Sequence, residues 1–131
     1  MGGTFRWVMV CICVMSLLVT GCSREEEATA HIKLTLQEEL MPPRVGRATI
    51  QFSLTNKQTR QPVTNAEIQV EGNMTHPGMA PSRAEAIEVA PGDYEAPLDF
   101  TMQGDWYLFF DIRLPDGQTL TRQVNVDGVT E

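Results

Sequence analysis

Cysteine is scarce in this chain of 131 residues, and all three cysteines (Cys11, Cys13 and Cys22) lie within the first 22 positions. A disulfide scaffold and a cysteine-rich zinc site are therefore excluded from the rest of the chain. Basic residues are also few, since 10 Lys and Arg face 17 Asp and Glu for a net charge of -7. Because this acidic balance would repel a phosphate backbone, we expect no nucleic-acid partner.

Groups for acid–base or nucleophilic catalysis are equally sparse. The chain has only two histidines, His31 and His76, and no pair of carboxylates whose spacing suggests a general acid and a general base. If Cys22 is modified, the mature chain also has no free thiol. The sequence therefore predicts a protein that is not an enzyme, and its length allows a single domain.

The N-terminus resembles a bacterial lipoprotein signal. Arg6 precedes an uncharged, mostly apolar run of 13 residues, Trp7 to Val19, which is too short to span a bilayer comfortably. Val-Thr-Gly-Cys follows, and this resembles a lipobox in which Cys22 receives a diacylglycerol and becomes the first residue after cleavage. We therefore predict a signal peptide over 1–21, a lipidated cysteine and flexible tether over 22–29, and a domain over 30–131.

This interpretation predicts a membrane-anchored protein that faces the extracytoplasmic space, in the periplasm or on the outer cell surface. Two alternatives remain. The apolar run is also compatible with an uncleaved signal anchor, or with an ordinary signal peptide followed by an incidental cysteine.

From residue 30 onwards, apolar residues recur at every second position, which is typical of half-buried strands. About seven strands are predicted, marked by these residues: Ile32 to Leu36; Ala48 to Leu54; Ile68 and Val70; Ile87 and Val89; Tyr94 to Phe100; Trp106 to Ile112; Leu120 to Val126. Turn sequences separate them, and Pro115-Asp116-Gly117 predicts a hairpin between the last two strands. No segment shows a helical repeat.

Seven short strands in about 100 residues predict an all-β fold, an immunoglobulin-like antiparallel sandwich, with an eight-stranded barrel as the alternative. Tyr94 is expected at a corner, its hydroxyl bonded to backbone. Tyr107 and Phe109 make the sixth predicted strand apolar on both faces, which favours a central position in its sheet. The predicted core contains Phe52, Ile68, Tyr94, Leu98, Trp106, Leu108 and Phe110.

One loop departs from this pattern, because residues 74–79 read Met-Thr-His-Pro-Gly-Met. Thioethers and a neutral imidazole are the ligands that suit Cu(I), and a thioether remains usable outside the cell, where thiols oxidise. Met74, His76 and Met79 are therefore candidate copper ligands. The alternative is that His76 is simply a turn residue beside Pro77 and that the methionines fill gaps in the packing.

If each strand reverses direction, the loops after the first, third and fifth predicted strands share one end of the sandwich. Met41 lies in the first of these loops and Met102 in the fifth, so both are candidates to complete the coordination. For these two, packing against the core is the favoured alternative. His31, before the first strand, is expected at the opposite end.

The segment from Asn73 to Val126 resembles the YtkA-like domain, a relative of FixH-like proteins. The resemblance rests on the Met/His loop, Met-Ala-Pro at 79–81, the sequence PGDYEAPLDFTMQGDWYL and the closing hairpin. It implies an extracytoplasmic immunoglobulin-like module associated with copper handling and with assembly of respiratory oxidases. It also implies that Met74, His76, Met79 and Met102 occupy the ligand positions.

Two functions follow as expectations. The first is a lipid-anchored module that binds or transfers Cu(I) to an acceptor protein or oxidase subunit. The second is a structural or docking module of the cell envelope without a metal. This second module would use an exposed sheet edge or the outer face around Tyr107 and Phe109.

Overall fold

The computed structural model describes residues 28–37 and 43–131, which form eight β-strands. The strands are β1 (Ile32–Leu36), β2 (Gly46–Asn56), β3 (Glu67–Met74), β4 (Ser82–Glu85), β5 (Ile87–Ala90), β6 (Asp93–Phe100), β7 (Gly104–Arg113) and β8 (Thr119–Val129). The predicted signal peptide, Cys22, the tether up to residue 27 and Met41 all lie outside the described residues. Among the described residues, no helix has the length and hydropathy needed to cross a membrane.

The strands form two antiparallel sheets of four, in the orders β1-β2-β6-β5 and β4-β3-β7-β8. The two sheets share no hydrogen-bonded strand pair within the described residues, which excludes the alternative of a closed barrel. The predicted immunoglobulin-like sandwich is therefore confirmed. β7 lies between β3 and β8, so the prediction of a central strand is also confirmed.

The structure has one strand more than the sequence predicted, because Ser82–Glu85 forms β4 against β3. Only Ala84 faces inward with a small apolar side chain, so the segment lacks the alternation that marked the other strands. β4 and β5 are separated by Ala86 alone, whose amide donates to the Ile68 carbonyl at 2.9 Å. β4 and β5 therefore form one extended segment, whose first part pairs with β3 in one sheet and whose second part pairs with β6 in the other.

The burial predicted for β5 was wrong. Ile87 and Val89 were expected to be half-buried, yet they are 62% and 52% exposed. Ile87 pairs with Glu95, which points away from the sandwich, and β5 is the edge strand of its sheet. The strand exists as predicted, but its β-branched residues face solvent.

The core lies between the sheets and is built from the inward residues of the alternating strands. All seven predicted core residues are buried, each 3% exposed or less. Aromatic rings pair within this core, including Phe52 against Phe110 with ring centroids 4.9 Å apart in an edge-to-face arrangement. The predicted β7–β8 hairpin is present, with Ile112 opposite Leu120 and Leu108 opposite Val124.

The two ends of the sandwich carry different connections. The connections after β1, β3 and β6 lie at one end, which we call the Met/His end. The connections after β2, β5 and β7 lie at the other, which we call the tyrosine end because Tyr94 bonds there. The extra strand leaves this arrangement unchanged, because β4 and β5 run in the same direction.

Candidate metal site

The Met/His end begins where β3 stops. Met74 is its last residue and lies opposite Trp106 of β7. Its side chain is half-buried and packs against the core. The methyl carbon of Met74 lies 3.1 Å from the point where a side chain on Gly104 would begin. The Met74 side chain therefore packs beside Gly104 of β7, and it contributes to packing as well as supplying a thioether.

His76 and Met79 belong to the connection from β3 to β4. His76 is exposed at a bend, and Pro77 and Gly78 form the following turn. Gly78 has φ +87°, a conformation that glycine adopts readily. Met79 follows as a half-buried residue. The imidazole of His76 is therefore exposed to solvent before the turn. The thioether of Met79 is partly buried where the chain leads into β4.

Met102 lies in the short connection from β6 to β7 and is 42% exposed. Its carbonyl accepts a hydrogen bond of 3.0 Å from the indole Nε1 of Trp106. The Trp106 ring itself is buried edge-on against Phe100, with centroids 5.1 Å apart. The Met102 carbonyl thus provides an acceptor for the buried indole N–H, and this bond fixes the backbone of the loop. The Met102 side chain is left on the surface.

The structure therefore places four of the candidate residues at one end of the sandwich, as the strand count predicted. Met74 and the Met102 loop meet around Gly104 and Trp106, whereas His76 and Met79 share the neighbouring connection. Two of these residues differ in burial. Met74 packs against the core, and Met102, for which packing was the favoured alternative, is exposed.

Sequence reasoning assigned Trp106 to the core and missed its second role. The indole hydrogen bond positions the loop that carries Met102, and Gly104 leaves the space that the methyl group of Met74 occupies. The spacing Met-x-Gly-x-Trp over 102–106 was the available signal for this arrangement.

Oppositely charged side chains form two pairs near this end of the described domain. Glu71 accepts hydrogen bonds from Asn73 Nδ2 at 2.8 Å and from Arg83 Nε at 2.7 Å, and these bonds lower the pKa of its carboxyl group. Arg47 and Asp99 form an exposed pair at 3.4 Å. Within the described residues, no group of three His, Cys, Asp or Glu side chains is placed to hold a metal ion. The candidate ligands at this end are the thioethers and the imidazole named above.

A broad open groove of about 1060 Å³ lies towards the tyrosine end. Ile68, Ile112 and Leu120 form its apolar part, and Glu85, Asp111 and Arg122 are among its charged residues. It shares no residue with the Met/His loop.

Hydrogen bonds between side chains and backbone fix the connections at the tyrosine end. The Tyr94 hydroxyl donates to the Val63 carbonyl at 2.8 Å and accepts from the Ala66 amide at 3.2 Å, which confirms the predicted corner. Burial raises the pKa of this hydroxyl. His31 lies at this end, as predicted, because its carbonyl accepts from the amide of Lys57 directly after β2.

The fold and the Met/His loop define a small β-sandwich with methionine and histidine side chains in the connections at one end. The sequence matches the YtkA-like family over residues 24–109, two thirds of the chain. The protein therefore belongs to the YtkA-like family, as the resemblance indicated. No curated protein matches the sequence.

Two solved structures are similar to this chain. The soluble domain of PmoD from Methylocystis sp. ATCC 49242 (Rockwell) is 14% identical, with a TM-score of 0.46, and the match covers 75% of this chain and 90% of that one. Murine CRIg is 13% identical, with a TM-score of 0.45, and the match covers 77% of this chain and 98% of that one.

Proposed function

We propose that this protein is a lipid-anchored extracytoplasmic module that binds Cu(I) at its Met/His end and delivers it to an acceptor protein, such as a subunit of a respiratory oxidase. The observation that carries the proposal is the collection of soft donors from two separate connections at one end of the sandwich. Membership of the YtkA-like family adds support, because the resemblance implied copper handling.

The donors differ in how readily they can reach an ion. His76 and Met102 are exposed, and Met79 is half-buried. Met74 needs a modest rearrangement, since its methyl group is packed beside Gly104. An exposed site with few ligands suits an ion that must be released quickly to an acceptor, because affinity differences act mostly through the dissociation rate.

Anchoring is the second part of the proposal. It rests on Cys22 following Val-Thr-Gly and on the apolar run before it. The diacylglycerol on Cys22 would hold the domain at a membrane, and neutral thioethers would stay functional in an oxidising compartment. The protein performs no reaction in this account; copper is its cargo.

The test is a competition titration of residues 23–131 with Cu(I) against a chromophoric chelator. We expect saturable binding of one ion, weakened on the order of tenfold by His76→Ala, which removes the only imidazole at this end. His31→Ala is the matched control, because it removes the other histidine from the opposite end. Absence of binding, or equal weakening by both substitutions, would refute the copper proposal.

A second candidate function is docking of an envelope protein, and the edge strand β5 favours it. Ile87 and Val89 expose β-branched side chains beside unpaired backbone groups, which is a surface onto which another strand can add. Tyr107 and Phe109, the outer residues considered from sequence, are half-buried and offer less surface. Loss of partner capture on Ile87→Lys, with His76→Ala having no effect, would support docking over copper binding.

A further inference from the structure

We propose that the tyrosine end faces the membrane, with Lys57 and Arg60 against anionic phospholipid headgroups, so that the Met/His end points away from the bilayer. The inference rests on the lipid anchor proposed above and is independent of copper. It defines a second contact with the membrane besides the lipid.

The first support is the place where the chain enters the sandwich. The carbonyl of Ala30 accepts from Lys57 Nζ at 3.3 Å, and the carbonyl of His31 accepts from the Lys57 amide at 2.7 Å. Arg122 Nη2 donates to the Thr29 carbonyl at 3.0 Å. These bonds hold the start of the domain at the tyrosine end, directly beside the β2–β3 connection.

The second support is a comparison of lengths. Seven peptide units separate Cys22 from Thr29, and a fully extended chain of that length spans at most about 25 Å. β7, which runs from one end of the sandwich to the other, has ten residues and is about 30 Å long. The tether therefore holds the entry point of the domain within about 25 Å of the membrane, which is less than the length of the sandwich.

The third support is charge. The β2–β3 connection, residues 57–66, contains no Asp or Glu and carries the exposed cations Lys57 and Arg60. Anionic headgroups attract such residues within a Debye length of the surface.

Carboxylates share the tyrosine end with these cations, and Glu67 at the start of β3 and Glu85 at the end of β4 are exposed there. Glu88 accepts from the amides of Asn65 and Gly92 at 2.9 and 3.0 Å. Asp116 Oδ1 accepts from the Gln118 amide at 3.0 Å. Asp93 is half-buried beside β2. The two cations of the connection remain on the surface.

The test measures orientation on a vesicle. The full-length protein is produced with its lipid and reconstituted into vesicles of phosphatidylcholine and phosphatidylglycerol that contain a rhodamine-labelled lipid. A single donor fluorophore is attached through Gln58→Cys at the tyrosine end or through Thr75→Cys at the Met/His end. Both positions are exposed, and the lipid blocks Cys22.

We expect energy transfer from position 58 to be at least twofold greater than from position 75. We also expect Lys57→Gln with Arg60→Gln to reduce that difference in phosphatidylglycerol vesicles. Arg44→Gln with Arg47→Gln, which removes two positive charges near the other end, should leave the difference unchanged. Equal transfer from the two positions, or greater transfer from position 75, would overturn the orientation while leaving the anchor intact. Failure of the protein to float with vesicles would refute the anchor and this inference together.

Discussion

The two ends of the sandwich differ in how their side chains are used. At the tyrosine end, side chains bond to backbone, as Tyr94 does with Val63 and Ala66 and as Glu88 does with Asn65 and Gly92. At the Met/His end, Met102 and His76 project into solvent. One end thus fixes the fold, and the other leaves donors available. Substitutions at the first end should therefore affect mainly stability, whereas substitutions of the exposed donors at the second should affect mainly ligand binding.

The largest expected effect is on stability, from Gly92→Ala. Gly92 has φ +79°, and a Cβ there would lie 2.5 Å from the Cβ of Pro62. Backbone strain and this clash together should lower the free energy of unfolding by about 2–4 kcal/mol. Gly78→Ala, at φ +87° with open space around it, should cost only about 1 kcal/mol. Denaturant unfolding of both variants checks the contrast; equal losses would contradict it.

Tyr94→Phe should follow, with a loss of about 1–3 kcal/mol because the Val63 carbonyl and the Ala66 amide lose their partner. The pH dependence has a defined sign. Burial raises the pKa of Tyr94, so the folded state favours the neutral hydroxyl. The stability that Tyr94 contributes in this way is fully present below the pKa of the hydroxyl in the unfolded state, about 10. It is lost as the pH rises from there through the raised pKa of the folded state. Thermal unfolding from pH 8 to 11 should show this alkaline loss in the parent protein and less of it in the variant.

At the Met/His end, substitutions of Met74 and Met102 distinguish a role in packing from a role in metal binding. Met74→Ala should cost about 1–2 kcal/mol because the side chain packs against the core beside Gly104. Met102→Ala should change stability by less than about 0.5 kcal/mol, since its side chain is 42% exposed. If both are ligands, Met74→Leu and Met102→Ala should each weaken Cu(I) binding. A large stability loss for Met102→Ala would mean that it serves the fold instead.

The smallest expected effect concerns Glu71. Hydrogen bonds from Asn73 and Arg83 lower the pKa of the Glu71 carboxyl group in the folded state. The ionised carboxylate therefore contributes to stability above the pKa of the unfolded state, and this contribution is lost as the pH falls through the lower pKa of the folded state. The pair with Arg83 is exposed, and such pairs contribute little. Glu71→Gln should therefore slightly reduce the acid sensitivity of unfolding measured between pH 2 and 6. An unchanged slope would show that these bonds do not persist in solution.

The parts of the fold that the sequence predicted are those in which apolar alternation is strong. Leu108 and Phe110 alternate with partly exposed residues in a central strand, and their burial was predicted correctly. β4 was missed because Ser82–Glu85 has a single small apolar residue. Alternation also cannot distinguish the two faces of an edge strand, which is why Ile87 and Val89 were expected to be buried.

The location of the candidate site was predictable from strand direction, whereas the exposure of its side chains was not. Counting reversals placed Met74, His76, Met79 and Met102 at one end, and the structure agrees. The exposure of Met102 depends on the hydrogen bond from the Trp106 indole to its carbonyl, a contact between a side chain and a loop that no periodicity encodes. Met41 stays a prediction, outside the described residues.

The central claim is that the donors of the Met/His end bind Cu(I) while the tyrosine end does not. The most direct measurement is an NMR titration of residues 23–131 with Cu(I), using protein labelled at the methionine methyl groups and histidine rings. The account predicts shifts at His76, Met102 and the other methionine methyls, with His31 unchanged. Shifts of equal size at His31 and His76, or no shifts at any methionine, would contradict it.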